Sequence, residues 1–134
     1  MTNPTPETVT VVMPLPSPYL HPNKAPRSRR GYIIKGKLTK ERRALAERLA
    51  TAQCVESAPW PAATVLARFY FTTNRKRDND NLLAWLKASV DGIADAGIVS
   101  DDSCFTYLPV QSFIDKDCPR VEIDLINEKY EHPT

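Results

Sequence analysis

The chain has 134 residues, which suits one compact domain and leaves too little length for two. Hydrophobic residues make up 42% of the chain and charged residues 25%, and both fractions are ordinary for a globular protein. No apolar run approaches the ~20 residues that a membrane span requires, and residues 1–12 lack the basic flank and apolar centre of a signal peptide. We therefore expect a cytoplasmic protein with no membrane partner.

The net charge of +2 conceals an uneven distribution of charge along the chain. Residues 1–77 contain 14 Lys or Arg against 4 Asp or Glu, whereas residues 78–134 contain 4 against 12. A basic half of this kind favours a polyanionic partner. The acidic half calls for a separate explanation.

Cysteine usage excludes a zinc site of the usual kind. Cys54, Cys104 and Cys118 are far apart and lack CxxC spacing, and the only histidines are His21 and His132. We expect three reduced thiols, so any bound metal would be held by oxygen ligands.

The first predicted element is a strand over residues 8–13, a β-branched run that is followed by prolines. Nine Lys or Arg then lie between Lys24 and Arg43, with Glu41 as the only acid. Such a density is typical of a surface that follows phosphates, although a solvated basic loop has the same composition.

A first helix is predicted from Thr39, as its N-cap, to about Cys54. Its apolar stripe comprises Leu45, Leu49 and Ala52. Basic residues in its first turns oppose the helix dipole, a cost that a DNA-binding surface would explain.

The remaining pattern predicts a buried strand over residues 63–72 and a second helix over about 80–96, with Gly97 as its C-terminal cap. Residues 103–114 and 120–126 close the chain as two strands, predicted to form a hairpin. The order β-α-β-α-β-β predicts a single α+β domain, with a mixed sheet of about four strands and two main helices. We expect the first ~6 and last ~7 residues to be flexible.

The second helix has a polar stripe as well as an apolar one. Its apolar face comprises Leu83, Leu86, Val90 and Ile93. In an unbroken helix, Asp80, Lys87 and Asp91 would fall within ~40° of one another on a separate face. This arrangement is a possible site, although a surface ion pair would show the same spacing.

Two acidic pairs flank this helix and could converge. Asp78 and Asp80 stand at its start, and after the turn at Gly97 the chain leads back to Asp101 and Asp102. Carboxylates that converge repel one another unless a cation neutralises them, and hard oxygen ligands suit Mg²⁺ or Mn²⁺. Each aspartate taken alone is more typical of a helix cap or a turn.

An acidic metal cluster beside a basic surface is the arrangement that a phosphodiesterase needs. Lys87 could stabilise the charge of the transition state or protonate the leaving oxygen. The predicted phosphate-binding residues are Lys24, Arg27, Arg29, Arg30, Lys35, Lys37, Arg75, Lys76 and Arg77.

These motifs resemble those of the RusA family of Holliday junction resolvases. The family pattern is a D-x-D-N-L box, a lysine four residues before an aspartate in the same helix, and an A-G turn into a D-D pair. The matching residues here are Arg77-Asp78-Asn79-Asp80-Asn81-Leu82, Lys87 with Asp91-Gly92-Ile93, Ala96-Gly97-Ile98 and Asp101-Asp102. The opening, Met13-Pro14-Leu15-Pro16-Ser17-Pro18 with Pro22-Asn23, is also similar, and the resemblance spans about residues 8–127.

The resemblance implies a homodimer that binds a four-way junction and makes paired, symmetric cuts with Mg²⁺, without a nucleotide cofactor. It assigns the metal to Asp78, Asp80 and Asp102, with Asp101 assisting, and the essential amine to Lys87. A phage or prophage origin would fit a compact resolvase of bacterial type.

Two departures from the family pattern stand out. Lys87 follows Asp80 by seven residues, where the best-known members have four, and Gln111 stands in a strand where a basic residue is expected. Two alternatives stay open: a less selective branched-DNA or flap nuclease, and a DNA-binding module that no longer cleaves. Comparing the cleavage of four-way junctions with that of forks and nicked duplexes tests for the less selective nuclease. A metal-dependent cleavage assay tests for the module that no longer cleaves.

Overall fold

One mixed sheet, covered by helices on one face, forms the framework of the protein. The computed structural model describes residues 7–53 and 55–128. Nearly all residues of the two ends that were predicted to be flexible lie outside these ranges, and Cys54 also lies outside them. In chain order, the elements are β1 (Thr8–Met13), α1 (Arg29–Thr51), β2 (Ala63–Phe71), α2 (Asn79–Trp85), α3 (Lys87–Asp95), β3 (Phe105–Tyr107), β4 (Gln111–Ile114) and β5 (Arg120–Asn127). Short 3₁₀ turns occupy Pro18–Leu20 and Asp102–Cys104.

The strands are ordered β1-β5-β2-β3, and β4 also pairs with β2. β5 is antiparallel to both of its neighbours, whereas β3 and β4 run parallel to β2 at successive positions along it. The predicted α+β domain with a small mixed sheet is confirmed. The predicted hairpin is wrong, because β2 lies between β4 and β5 and the segment 103–114 divides into two short strands.

The alternating residues of the strands separate a buried face from an outer one. β2 and β5 alternate strictly between buried and partly exposed positions, and the buried positions pack against the helices. On the outer face Arg68 binds Glu122, with 3.1 Å between Nη2 and Oε1, and also binds Asp124. Arg120 binds Glu122 and Asp115, each at 2.8 Å. Three of the twelve acids of residues 78–134 are therefore paired with these two arginines.

Helix α1 begins ten residues before the predicted N-cap. Ser28 caps it by accepting a hydrogen bond from the Gly31 N–H at 3.0 Å, and Thr39 lies inside the helix. Its buried residues are Arg42, Ala46 and Ala50, whereas Leu45 and Leu49 are partly buried. Ala52, predicted on the apolar stripe, is exposed, so the buried stripe lies about one residue from the predicted position.

The predicted second helix is divided at Leu86 into α2 and α3. The Leu86 N–H donates to the Leu83 carbonyl, three residues back, at 3.1 Å, which tightens the chain at this point. Leu86, Val90 and Ile93 are buried as predicted, and Leu83 is partly buried. Gly97 ends α3 with a φ of +88°, which favours glycine and confirms the predicted cap.

Among the described residues, no helix has the length and apolar character that crossing a membrane would demand. The described cysteines, Cys104 and Cys118, are free thiols, as predicted.

Candidate active site and nucleic-acid interface

The ammonium group of Lys87 lies between two carboxylates from different segments. Its Nζ is 2.8 Å from Asp91 Oδ1, one helical turn further along α3, and 3.5 Å from Asp102 Oδ2. Asp102 is brought there by a well-anchored loop. The Trp60 N–H donates to the Ile98 carbonyl at 2.6 Å, and both Ile98 and Val99 are buried. The predicted proximity of Lys87 and Asp91 is confirmed.

Charge around this group keeps the lysine protonated. The hydrogen bond to Asp91, followed by the charges of Asp91 and Asp102, raises the pKa of Lys87 above its usual value. Tyr107 lies in the electrostatic range of the same three groups, and burial raises the pKa of its phenol. Tyr107 was missed in the sequence because nothing in residues 105–107 indicates what they face.

A second ion pair stands beside the first. Arg43 of α1 donates from Nη2 to Asp95 Oδ1 of α3 at 2.8 Å, and this bond holds the pKa of Asp95 below its usual range. One cleft of about 440 Å³ is lined by Arg43 and Asp95 together with Lys87, Asp91 and Asp102. The sequence contains no signal for the Arg43–Asp95 pair, because the partners are 52 residues apart on different helices.

Asp101 has a local structural role. Its carboxylate accepts hydrogen bonds from the N–H of Ser103, at 2.7 Å, and from the Ser103 hydroxyl, and so caps the 3₁₀ turn. These bonds lower the pKa of Asp101. The carboxylate is therefore already engaged within its own turn.

Asp78 and Asp80 stand at the start of α2. Asp78 is the N-cap, and its Oδ1 accepts from the Asp80 N–H at 2.8 Å. Asp78 lines a different cleft from the one that contains Asp102. Within the described ranges no ion pair joins Asp80 to Lys87, because the seven residues between these positions correspond to a helical rise of ~10 Å.

The predicted metal ligands do not form a cluster in this fold. Among residues 7–53 and 55–128, no group of three or more His, Cys, Asp or Glu side chains could hold a metal ion. Lys87 forms an ion pair with Asp102, and the Asp78 carboxylate accepts a hydrogen bond at the start of its own helix. The oxygen donors themselves are of the kind that Mg²⁺ prefers.

The predicted phosphate-binding residues share one property that the sequence could not show. Within the described part of the chain, none of Lys24, Arg27, Arg29, Arg30, Lys35, Lys37, Arg75, Lys76 and Arg77 makes a salt bridge. By contrast, Arg43, Arg68 and Arg120 are all paired with acids. The unpaired cations leave positive charge available to a polyanion.

Arg42 and Arg43 do not belong to that surface, although both lie in the basic run of residues 24–43. Arg42 is buried and donates from Nε to the Ser89 hydroxyl at 2.8 Å, and burial lowers its pKa to about 10. Arg43 is bound to Asp95. The basic surface on α1 therefore ends before Arg42.

Four of the nine basic residues line the larger cleft, of about 870 Å³. Lys24 reaches it from the loop before α1, and Arg75, Lys76 and Arg77 reach it from the segment between β2 and α2. Burial, followed by the nearby charge of Arg75, lowers the pKa of Arg77. Two basic segments that are about fifty residues apart in sequence thus contribute to one surface.

A scan against protein-family models and a search of curated proteins found no match to this chain.

Proposed function

We propose that this protein is a Mg²⁺-dependent endodeoxyribonuclease that resolves four-way DNA junctions by paired, symmetric hydrolysis in recombination and repair. The observation that carries the proposal is the position of Lys87. Two of the three segments to which the resemblance assigns catalytic residues meet there, with Lys87 Nζ at 3.5 Å from Asp102 Oδ2. The unpaired basic side chains support a DNA substrate.

Lys87 has the properties of a group that acts on a phosphate. A lysine is protonated at neutral pH, Asp91 and Asp102 raise the pKa of Lys87 further, and its side chain is 69% exposed. In this position it would stabilise the negative charge that develops on a phosphoryl group, or donate a proton to the leaving oxygen.

The proposed requirement for Mg²⁺, with Mn²⁺ as a substitute, rests on the sequence. Asp78, Asp80 and Asp102 are its assigned ligands, with Asp101 assisting. Because the described fold does not gather these carboxylates, we derive no catalytic step through the ion. A homodimer, a cytoplasmic location and a bacterial or phage origin are likewise parts of the proposal.

The test is cleavage of a labelled four-way junction with and without Mg²⁺, using Asp80→Asn and Asp102→Asn beside Asp117→Asn as the matched control. Asp117 is an exposed aspartate in the turn between β4 and β5. We expect the first two variants to lose cleavage and to bind the junction as tightly as the wild type or more tightly. The control variant should cleave normally.

Normal cleavage by Asp80→Asn would show that the metal assignment is wrong. Equal cutting of forks, nicked duplexes and junctions by the wild type would favour the less selective nuclease. Junction binding without cleavage in either metal would favour the non-catalytic DNA-binding module.

A further inference from the structure

The larger cleft combines an apolar floor with a basic rim. Leu15, Phe71, Leu82 and Trp85 contribute apolar surface to it, and Lys24, Arg75 and Lys76 contribute charge. Its volume of about 870 Å³ is within the range of small-molecule sites. The floor is the edge of the hydrophobic core, and where it borders the cleft it offers apolar surface that a phosphate alone would not use.

Arg77 provides a flat surface in this cleft. Its guanidinium carbon lies 3.6 Å from the centre of the Phe71 ring, so one face of the guanidinium covers the ring. Nη1 donates to the carbonyls of Arg75 and Thr73 at 2.9 and 3.2 Å, and Nη2 to the Thr73 hydroxyl at 3.4 Å. These contacts fix the plane of the guanidinium, and the side chain remains partly exposed.

The polar groups near this plane are available to a ligand. The Asn81 side chain lines the cleft and makes no hydrogen bond within the described residues, and an amide can both donate to and accept from the edge of a nucleobase. Asp78 is the one acid among the lining residues, and its Oδ1 is bonded to the Asp80 N–H. The charge of the rim is therefore predominantly positive.

We propose that this cleft holds an unpaired nucleotide of single-stranded DNA. The base stacks on the guanidinium of Arg77 above the apolar floor, and the adjoining phosphates contact Lys24, Arg75 and Lys76. A base within a duplex cannot enter, since its faces are already stacked on its neighbours, whereas an unstacked base offers a face to a planar cation. The proposal rests on the proposed function and identifies the part of a branched substrate that this site would bind.

The experiment measures binding without Mg²⁺, so that the result does not depend on cleavage. Fluorescence anisotropy compares an eight-nucleotide oligothymidylate with an oligomer of the same phosphates in which every base is replaced by an abasic spacer. We expect the oligothymidylate to bind about tenfold more tightly, the effect of roughly one stacked base. This comparison requires no variant of the protein.

Arg77→Lys then tests the planar surface while keeping the charge. We expect it to lower the affinity for the oligothymidylate about tenfold and to leave that for the abasic oligomer unchanged. Arg48→Lys is the matched control, because Arg48 is exposed near the end of α1 and outside this cleft, and it should change neither affinity.

Equal binding of the two oligomers by the wild type would overturn the proposal, as would equal effects of the two lysine variants. If a duplex competed as effectively as the oligothymidylate, the cleft would bind phosphates only. This result would also overturn the proposal. If the binding tests succeed but no junction is cleaved, the nucleotide-site proposal stands and the proposed nuclease activity fails. The two failures are therefore distinguishable.

Discussion

At the residue scale, the two carboxylates beside Lys87 are not equivalent. The Asp91 side chain is 19% exposed and forms the shorter contact, whereas the Asp102 side chain is 52% exposed. An exposed pair of this spacing on a helix contributes only about 0.3–0.5 kcal/mol to stability. Asp91 therefore matters little to folding, and its closest contact is with the amine to which we assign a catalytic role.

We accordingly predict that Asp91→Asn changes both the position of the Lys87 amine and its pKa. The pKa of Lys87 should fall towards its usual value, so the alkaline limb of the cleavage rate should move to lower pH. The rate near neutral pH should fall on the order of tenfold, less than the ~10²–10³ typical for loss of a stabilising donor itself. Cleavage rates between pH 7 and about 11.5 measure both effects, because the alkaline limb lies at or above the usual lysine pKa of ~10.4. An unchanged alkaline limb would show that Asp91 does not act through Lys87.

Glu122, on the outer face of the sheet, links stability to acid pH. Its hydrogen bonds with Arg120 and Arg68 hold the pKa of Glu122 below the ordinary value of 4.5. Because the folded-state pKa is the lower one, the contribution is complete above about pH 4.5 and is lost as pH falls through the folded-state value. Glu122→Gln removes this contribution and should cost about 1 kcal/mol at neutral pH.

The stability of Glu122→Gln should consequently decline less steeply below pH 4.5 than that of the wild type. Urea unfolding from pH 7 to 3 measures the difference. Glu47→Gln, at an exposed position on α1, is the control and should run parallel to the wild type. A Glu122→Gln curve that is also parallel would mean that the network does not respond to pH.

At the scale of elements, the crossing of α1 and α3 at Gly92 sets the geometry of the smaller cleft. A Cβ added at Gly92 would lie 2.1 Å from the Arg43 carbonyl oxygen and 2.8 Å from the Ala46 Cβ. The absence of a side chain therefore lets the helices approach closely enough for Arg43 to reach Asp95.

We predict that Gly92→Ala destabilises the protein by about 1–3 kcal/mol, because the helices must separate to accept the methyl group. Gly36→Ala provides a matched comparison. Gly36 is exposed in the same α1, with nothing within 4 Å of an added Cβ, so the substitution should stabilise by about 0.5–1 kcal/mol. Urea unfolding of both variants tests this, and equal effects would contradict the close crossing.

The elements that the sequence predicted well are those with a clear periodic pattern. Strands β1, β2 and β5 and the apolar face of α3 follow from alternation and from helical spacing. The first half of α1 has no apolar stripe, and two of its residues are glycines, so its helical state depends on the Ser28 cap and on continuity with the packed half. The pairing of β3 and β4 with β2 is a non-local contact that no local pattern encodes.

The candidate site shows the same limit. Lys87 and Asp91 could be paired from their spacing alone, and the turn at Gly97 correctly suggested a chain that returns towards the helix. The meeting of Asp102 with Lys87 depended on the path of the loop after Gly97, which no local pattern encodes. The Arg43–Asp95 pair depended on the crossing of two helices.

At the scale of the whole molecule, paired cleavage of a junction requires two matched sites, which a two-fold dimer provides. We predict that sedimentation equilibrium gives a mass about twice the 15.1 kDa of the chain. Mixed dimers of wild type and Asp80→Asn should accumulate junctions with a single nick. A monomer at micromolar concentration that still makes both cuts together would contradict the dimer.

Helix α1 is anchored at one end only. Its 23 residues span ~35 Å, yet none before Arg42 is buried, and Tyr32 and Ile33 are more than 60% exposed. The turns that carry Arg29, Arg30, Lys35 and Lys37 are thus the least protected against local opening and should exchange their amide hydrogens fastest. A polyanion bound there would contact a segment that opens and closes locally, and its binding would slow the amide hydrogen exchange of that segment.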